Sequence, residues 1–295
     1  MTTQSAPVWR SLLFIPANNQ KFVGKAHTRG ADGIILDLED SVAPEQKAAA
    51  RLALPAAARQ VAANGIDVLV RVNAEWLPED IQAAATAAVR ALLLPKVNTA
   101  APVLKAAALL DRLEGERGLP PGSIRLLAQI EDVRALPNLD AIASSTPRLL
   151  GMSLGSEDFS ASAAMLPLPE TLYGPNQQVV FACRRAGILP FGFPASITLF
   201  SDLDALQHAA IQATAMGFVG AFCIHPKQVP VLNQAFTPAS AAVLDARTLL
   251  AEFARAEAEG RGVFAFKGKM VDLPVILRAR ELVARAEAIA AIPAR

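Results

Sequence analysis

Acidic side chains stand at the ends of two apolar runs in this sequence. Glu131 closes the run Leu-Leu-Ala-Gln-Ile, and Asp158 closes a longer stretch that ends Gly-Ser-Glu-Asp. Two neighbouring carboxylates repel each other unless one is protonated or a cation lies between them. Mg²⁺ often takes one or two protein carboxylates and completes its shell with waters and substrate oxygens. We therefore predict that Glu131 and Asp158 bind Mg²⁺, with Mn²⁺ as the alternative ion. In the competing interpretation, one of the two acids only caps the following helix.

Other charged residues close further runs and offer contacts to an acidic substrate. Arg71, in Val-Arg-Val-Asn, could hold a carboxylate with two parallel hydrogen bonds, or form an ion pair with Asp37 or Glu39. Asp37 and Glu39 alternate onto one face of their predicted strand, and Asp40 points to the other face. One of this pair could accept a hydrogen bond from a metal-bound water, whereas Asp40 suits a cap for the following helix.

Two sets of basic residues have both a functional and a structural interpretation. Lys96, in Leu-Pro-Lys, lies near a strand end and could form a Schiff base, but a salt bridge at that end is the favoured interpretation. Lys21, Lys25 and Arg29 recur every four residues, which predicts a basic stripe on the first helix. That stripe could bind phosphate groups, although such stripes more often face solvent.

One serine lies in a pattern that resembles the nucleophile elbow of serine hydrolases. Gly-Met-Ser-Leu-Gly surrounds Ser153, and Asp202 and His225 follow in an order that suits a catalytic triad. However, the pentapeptide lies on a predicted strand instead of a strand-to-helix turn, and no glycine-rich oxyanion loop precedes it. We keep serine hydrolysis as the weaker alternative.

The elements that must position these residues follow a repeated pattern. Eight apolar runs recur about every 30 residues, separated by alanine-rich amphipathic stretches, and their continuous apolar character predicts buried parallel strands. The carboxyl ends of strands in an α/β barrel converge on one mouth, which would bring the charged residues together. We therefore predict a (β/α)₈ TIM barrel. Its strands are expected at residues 11–16, 33–40, 67–73, 91–97, 126–131, 149–158, 188–194 and 220–226.

Helical segments fill the gaps and continue past the eighth strand. We therefore expect a barrel domain at 1–236 and a C-terminal helical extension at 237–295. Individual helices are predicted at residues 44–64, 175–185, 202–216, 239–259 and 273–291, from proline near their starts, glycine near their ends or helical spacing of apolar residues.

The bulk composition narrows the class of protein. The chain has 295 residues, of which 53% are hydrophobic, and its formal net charge is +1, which argues against nucleic-acid binding and polybasic membrane contact. No apolar run approaches the roughly 18 residues of a membrane span. Cys183 and Cys223 are too few and too far apart for a disulfide framework or a cysteine-based metal site. We expect a cytoplasmic protein.

Taken together, these residues resemble the citrate lyase β-subunit-like family, within the superfamily of HpcH/HpaI aldolases and malate synthase. The matching stretches run in the family's order over nearly the whole chain. They are Arg10-Ser-Leu-Leu-Phe-Ile-Pro16, Gly30-Ala-Asp-Gly-Ile-Ile-Leu-Asp-Leu-Glu-Asp-Ser-Val-Ala43, Val70-Arg-Val-Asn73, Leu94-Pro-Lys96, Gly155-Ser-Glu-Asp158, Ala215-Met-Gly-Phe218, Ile224-His-Pro226 and Gly268-Lys-Met-Val-Asp272. The chain departs from many family members at 16–21 and 192–197, which leaves the substrate open.

The resemblance implies a reaction as well as a fold. It implies a homotrimer or hexamer in which a (β/α)₈ barrel carries a C-terminal lid that packs on a neighbouring subunit. Its reaction is Mg²⁺-dependent cleavage of a citryl-, malyl- or citramalyl-type thioester of coenzyme A or an acyl carrier protein, or the reverse condensation. Glu131 and Asp158 match the metal ligands, and Arg71 matches the binder of the keto-acid carboxylate. Asp272 matches the acid/base that a neighbouring subunit presents.

Further residues complete the predicted site. Glu39 joins the catalytic residues, and the substrate-binding residues include Arg10, Asp37 and Lys96 beside Arg71. The candidates for binding the phosphates of coenzyme A are Lys21, Lys25 and Arg29. A carrier-protein-dependent subunit, or one that has lost catalysis, remains an alternative to a stand-alone enzyme.

Overall fold

The computed structural model describes residues 7–198, 200–258 and 264–292, and these form two compact units. The larger unit is Trp9–Phe236. The smaller unit contains the described residues from Thr237 onward, together with those before Trp9. Among the helices within these ranges, none combines the length and the apolar character needed to cross a membrane.

Eight parallel strands of the larger unit form a closed barrel, which confirms the predicted fold. They pair in the order β7-β6-β5-β4-β3-β2-β1-β8, and a bridge between Phe191 and Gly220 joins the two ends of the sheet. The strands are β1 Ser11–Pro16, β2 Gly33–Asp37, β3 Asp67–Arg71, β4 Ala91–Leu94, β5 Arg125–Ile130, β6 Leu149–Leu154, β7 Leu189–Phe191 and β8 Ala221–Cys223.

Residues along each strand alternate between the barrel interior and the layer beneath the helices. On β2, Ile35 belongs to the interior core, whereas Ile34 and Leu36 belong to the outer core. In the interior, Phe191 stacks on Phe222 with ring centroids 5.9 Å apart. Both faces of the sheet are buried, which explains why the strands are continuously apolar. Each large apolar side chain contributes about 1.5–3 kcal/mol when it is fully buried.

Helices follow the strands and form the outer layer of the barrel. Three of them end at glycines with left-handed backbone, Gly118, Gly187 and Gly217, where a side chain would be strained. The helices of the larger unit are α1 Gln20–Val23, α2 Lys47–Ala62, α3 Leu77–Ala84, α4 Ala100–Arg117, α5 Leu139–Ala143, α6 Ser156–Ser162, α7 Pro169–Ala186, α8 Leu203–Met216 and α9 Gln228–Ala235, with 3₁₀ turns at Ala26–Arg29, Pro44–Gln46 and Val133–Asn138.

The structure corrects several predicted boundaries, and most strands end earlier than predicted. Helix α7 begins at Pro169 instead of Pro175, because Pro169 occupies the first turn and the Thr171 hydroxyl accepts a hydrogen bond from the backbone of Leu168. Strand β2 ends at Asp37 instead of residue 40. Strand β6 ends at Leu154, and Ser-Glu-Asp forms the first turn of α6, where acidic residues favour the positive end of the helix dipole.

The smaller unit contains two helices and a short hairpin with its own apolar core. Helix α10 spans Ser240–Ala258, helix α11 spans Leu273–Ala290, and strands β9 Phe264–Phe266 and β10 Lys269–Val271 pair in antiparallel fashion. The core includes Leu249, Val271 and Ile276. Both helices agree closely with their predicted ranges, and the hairpin was not predicted. Residues 259–263 and 293–295 of the predicted extension lie outside the described residues. Its packing on a neighbouring subunit stays a prediction.

Candidate active site

An arginine and an aspartate from neighbouring strands form the base of the site. Arg71 ends β3 opposite Asp37, which ends β2. The guanidinium donates two parallel hydrogen bonds of 2.7 Å, from Nε to Oδ1 and from Nη2 to Oδ2. Burial alone would raise the pKa of Asp37, but the hydrogen bonds and charge of Arg71 outweigh it and lower that pKa. The pair is therefore ionised, and the orientation of Arg71 is fixed.

Two further carboxylates contact the outward side of Arg71. Its Nη1 lies 2.9 Å from Glu39 Oε2 and 3.0 Å from Asp40 Oδ2. This corrects the prediction that Asp40 points away from the other two acids. The chain leaves the strand after Asp37, so strict alternation of side chains stops there. The Asp40 side chain is 64% exposed and is the outermost of these carboxylates.

Lys96 connects the two acidic parts of the site. Its Nζ lies 3.0 Å from Glu39 Oε1, and its backbone N–H donates to Glu131 Oε2 at 3.1 Å. The residue has φ of 56°, a left-handed conformation that is rare outside glycine and directs the N–H toward Glu131. The hydrogen bond to Glu39 raises the pKa of Lys96. This salt bridge is the favoured of the two predicted interpretations, and a protonated amine does not form a Schiff base.

Glu131 carries a buried charge that the protein only partly compensates. The residue directly follows β5 and is 4% exposed. Burial, with the charges of Glu39 and Asp158, raises the pKa of Glu131 to about 8, although Arg71 and Lys96 oppose the shift. Its side chain packs against Gly155, where a β-carbon would lie 2.7 Å from Glu131 Cγ. The glycine therefore leaves the room that this carboxylate occupies.

Asp158 supplies the second predicted metal ligand. It lies in the first turn of α6, exposed, and its charge acts on Glu131. Within the described ranges, no group of three or more His, Cys, Asp or Glu side chains is arranged to hold a metal ion. Two neighbouring carboxylates, one of them buried, with room for other oxygen ligands suit Mg²⁺ or Mn²⁺, and they do not suit a site built wholly from protein ligands. The residues present therefore fit the ion.

A cavity of about 920 Å³ opens at the carboxyl ends of the strands. Asp37, Arg71 and Asp158 line it, together with an apolar wall from β1, β8 and the segment after β7. That wall includes Phe14, Phe193, Ile197, Phe222 and Ile224. The Arg71 guanidinium lies 4.7 Å from the centre of the Phe14 ring. The cavity is large enough for an extended ligand with an anionic end and an apolar body.

Comparison with known proteins places this site in a family. The profile of the HpcH/HpaI aldolase/citrate lyase family matches residues 10–226, which is most of the chain. The chain belongs to this family. The match confirms the resemblance found in the sequence and the predicted enzyme class, a carbon–carbon lyase.

Members of the family with assigned names resemble the whole chain. The citrate lyase subunit beta of Escherichia coli strain K12 is 36% identical over 94% of this chain and 93% of its own length. An L-malyl-CoA/beta-methylmalyl-CoA lyase of Rhodobacter capsulatus is 34% identical over 94% of both chains. The crystal structure of CitE from Mycobacterium tuberculosis with magnesium, acetoacetate and coenzyme A superimposes with a TM-score of 0.74. It is 30% identical, and the match covers 96% of this chain and 99% of that one.

Arg10 does not join the other predicted site residues. It immediately precedes β1, at the amino ends of the strands, and forms an ion pair of 2.8 Å with Asp32. The predicted substrate contacts lie at the carboxyl ends, on the opposite side of the barrel. The assignment of Arg10 to substrate binding is therefore corrected to a structural ion pair that connects the starts of β1 and β2.

The predicted basic stripe does not lie on one helix. Lys21 is in the four-residue helix α1, whereas Lys25 precedes the following 3₁₀ turn and Arg29 ends it, so the four-residue spacing no longer aligns them. Arg29 lines the cavity, and Lys21 and Lys25 are exposed and do not line it. Lys227, after β8, also lines the cavity and had not been singled out.

The serine hydrolase alternative is wrong. Ser153 lies inside β6 and is 2% exposed, and among the described atoms its hydroxyl has no hydrogen-bond partner. Asp202 instead caps α8 through the N–H of Ala205. His225 Nδ1 accepts a hydrogen bond from the backbone of Lys227. A triad needs a nucleophile within hydrogen-bond reach of its base, and this arrangement has none.

The predicted acid/base lies in the smaller unit. Asp272 is exposed and caps α11, where its side chain accepts a hydrogen bond of 3.4 Å from the N–H of Val275. Its assignment to a neighbouring subunit's site stays a prediction.

Proposed function

We propose that this chain is a Mg²⁺-dependent lyase that cleaves a short 3-hydroxyacyl thioester into an acetyl thioester and a 2-keto acid, or catalyses the reverse condensation. The observation that carries the proposal is Glu131, a buried carboxylate with a pKa raised to about 8, beside Asp158 at a barrel mouth that also holds Arg71. The named relatives support it, because they include lyases that act on malyl-CoA and a citrate lyase subunit.

The residues fit a division of labour in this reaction. A divalent cation held by Glu131 and Asp158 would supply Lewis-acid stabilisation to the oxygen that changes between hydroxyl and keto forms. Arg71 would orient the acid portion of the substrate by donating hydrogen bonds to its carboxylate from the outward side of the guanidinium. Asp40, the exposed contact of Arg71, lies on that side, so the substrate carboxylate would compete with it. Asp37 keeps the inner edge of Arg71 fixed during this exchange.

A proton must be delivered to the enolate that forms when the carbon–carbon bond breaks. We assign this step to Asp272, following the family resemblance. As a carboxylate, it removes a proton from the acetyl carbon in the condensation direction. As a carboxylic acid, it returns that proton in cleavage. Glu39, which contacts both Arg71 and Lys96, would hold the surrounding polar groups in register.

The thioester carrier would occupy the apolar side of the cavity. Arg29 and Lys227 line the same cavity and could contact the phosphates of coenzyme A, whereas Lys21 and Lys25 do not line it. The related CitE structure from Mycobacterium tuberculosis contains coenzyme A and magnesium. We therefore retain Arg29 as a phosphate contact and add Lys227.

A panel of malyl-CoA, citramalyl-CoA and citryl-CoA tests the proposal. The purified chain is incubated with each thioester in excess Mg²⁺ or in EDTA, and acetyl-CoA and 2-keto acid are quantified together. We expect equimolar products in Mg²⁺ and none in EDTA or with Glu131→Gln. Release of free coenzyme A without a keto acid, undiminished in EDTA, would contradict the proposal.

A carrier-dependent subunit is the second candidate. The observation in its favour is the 36% identity to a protein named citrate lyase subunit beta. The two candidates separate in one assay. A stand-alone enzyme cleaves the coenzyme A thioesters by itself. A carrier-dependent subunit cleaves the corresponding acyl-carrier-protein thioester and leaves the coenzyme A thioesters intact.

A further inference from the structure

A buried lysine lies behind the site. Lys47, the first residue of α2, is buried, and its ammonium group uses all three of its N–H bonds. They reach the carbonyl oxygens of Leu38 at 2.7 Å and Glu39 at 2.5 Å, and Asn73 Oδ1 at 2.9 Å. Burial lowers the pKa of Lys47, and the charges of nearby carboxylates, of which Asp37 is the largest, oppose the shift.

The acceptors of Lys47 belong to the two chain segments that carry the site. Leu38 and Glu39 follow β2, and Asn73 lies two residues after Arg71, at the end of β3. Asn73 also donates to the Leu38 carbonyl at 2.9 Å. The lysine thus joins the backbone that bears Glu39 to the segment that bears the guanidinium.

We propose that Lys47 is a positioning residue that holds Glu39 and Arg71 in the geometry the lyase reaction needs. The inference rests on the proposed function. Lys47 does not line the cavity, so it acts through the residues that it holds. Loss of its hydrogen bonds would release the Glu39 carbonyl and let the Glu39 carboxylate shift relative to Arg71 and Lys96. A displacement of about 1 Å in a catalytic group can cost about 100-fold in rate.

The experiment compares Lys47→Met with a matched control at the other end of the barrel. Arg148→Met also removes a buried cation; Arg148 precedes β6 and binds Glu114 Oε2 at 2.7 Å and the Ile124 carbonyl at 2.7 Å. Both variants should lower the melting temperature. Only Lys47→Met should lower kcat/KM for the thioester cleaved by the wild type, by about 100-fold. Binding of Mn²⁺ alone, measured by electron paramagnetic resonance, should change less than about threefold because Glu131 and Asp158 remain.

Three outcomes decide the matter. A kcat/KM for folded Lys47→Met within threefold of the control would overturn the inference, because a purely structural role predicts that result. If Lys47→Met does not fold, Lys47→Gln, which keeps two donors, is measured in the same way, with an expected loss of about 10-fold. If the wild type cleaves no thioester, the proposed function fails by itself. A crystal structure of the variant then decides, and unchanged contacts of Arg71 with Asp37 and Glu39 would overturn the positioning role.

Discussion

At the scale of single residues, Glu131 is the strongest signal of chemistry in the molecule. Most carboxylates at the mouth have a cation within 3 Å, whereas Glu131 accepts a backbone N–H and faces the charges of Glu39 and Asp158. A carboxyl whose pKa is raised by burial and by like charges is poised to exchange its proton for a metal ion. The effect of the raised pKa of Glu131 on the stability of the fold can be measured without a substrate.

The metal-free protein should lose stability as the pH rises. The pKa of Glu131 is about 8 in the folded chain and near 4.5 when exposed, so the folded state binds more protons between these values. The stabilisation is complete below pH 4.5 and is lost as the pH approaches 8, with a cost of a few kcal/mol. In EDTA, we expect the melting temperature to fall from pH 6 to pH 8.5.

The same titration should weaken when Glu131 is neutral or metal-bound. In EDTA, the melting temperature of Glu131→Gln should depend less on pH than that of the wild type. Addition of Mg²⁺ to the wild-type protein at pH 8.5 should raise its melting temperature again. A melting temperature that rises with pH in the metal-free wild type would show that burial and like charges do not raise the pKa of Glu131.

Arg71 should not tolerate lysine. A lysine provides the charge but cannot form two parallel hydrogen bonds with Asp37, so the outward contact to substrate loses its fixed orientation. We expect Arg71→Lys to lower kcat/KM by about 100-fold, with most of the loss in KM for the 2-keto acid in the condensation assay. The control is Arg185→Lys, because the ion pair of Arg185 with Asp140 is exposed. This substitution should leave kcat/KM and KM unchanged. Equal effects of the two substitutions would argue against substrate binding by Arg71.

At the scale of elements, the junction between β6 and α6 determines whether two carboxylates can meet. Gly155 separates the strand from the helix, and its missing side chain leaves the space that Glu131 occupies. The sequence predicts Glu131 and Asp158 as metal ligands, but its apolar pattern places Asp158 on a strand, whereas Asp158 lies in the first turn of α6. An apolar run does not show at which residue the hydrogen bonds to the neighbouring strands end. Ser-Glu-Asp after a glycine is, however, a signal of a helix start that could have been recognised.

Gly155→Ala should therefore impair metal binding more than folding. The new β-carbon would lie 2.7 Å from Glu131 Cγ and 3.0 Å from Gln129 Nε2, so the carboxylate must shift. We expect Mn²⁺ affinity to fall by about 10- to 100-fold. Gly174→Ala in α7 is the control, because a β-carbon there meets nothing within 4 Å and alanine favours the helix by about 1 kcal/mol. Unchanged Mn²⁺ affinity in Gly155→Ala would contradict the tight packing.

Other elements show why local sequence predicts strands but not tertiary contacts. The apolar runs predicted all eight strands, because strands buried on both faces require continuous apolar sequence. The contacts of Lys47 with the segments after β2 and β3 depend on tertiary structure. A faint signal existed, since a lysine at the first position of a helix is disfavoured by the dipole and calls for a tertiary reason. The hairpin turn at Lys267 and Gly268 was not predicted, because lysine rarely adopts the positive φ that it has in this turn.

At the scale of the whole molecule, the predicted site residues are divided between the two units of the chain. Glu131 belongs to the barrel and Asp272 to the smaller unit. If a neighbouring subunit supplies Asp272, two different inactive subunits can repair each other. Glu131→Gln and Asp272→Asn should each abolish lyase activity as pure proteins. Co-expressed in equal amounts, they should assemble into oligomers in which about one quarter of the sites are complete.

The measurement is the specific activity of mixed oligomers separated by two different affinity tags. Because the tags remove oligomers of a single variant, recovery of about one third of wild-type activity in a mixed trimer, with one complete site of three, would support a shared site. A mixture as inactive as the pure variants would place Asp272 in its own subunit's site or outside catalysis. A pure Asp272→Asn protein with full turnover would remove it from the mechanism.

The closure of the barrel has a consequence for its motions. Strands β7 and β8 have three residues each, and the bridge at Phe191 and Gly220 joins them. We expect the barrel to open locally between β7 and β8 more easily than elsewhere, because few hydrogen bonds between these strands need to break. Amides in this region, such as Val219 N–H on the Pro190 carbonyl, should therefore exchange with deuterium before those of β2 and β3. The apolar wall of the cavity lies beside these two strands, so it can change shape when they separate. The carboxylates that follow β2 and β5 lie on the opposite side of the barrel and would keep their positions.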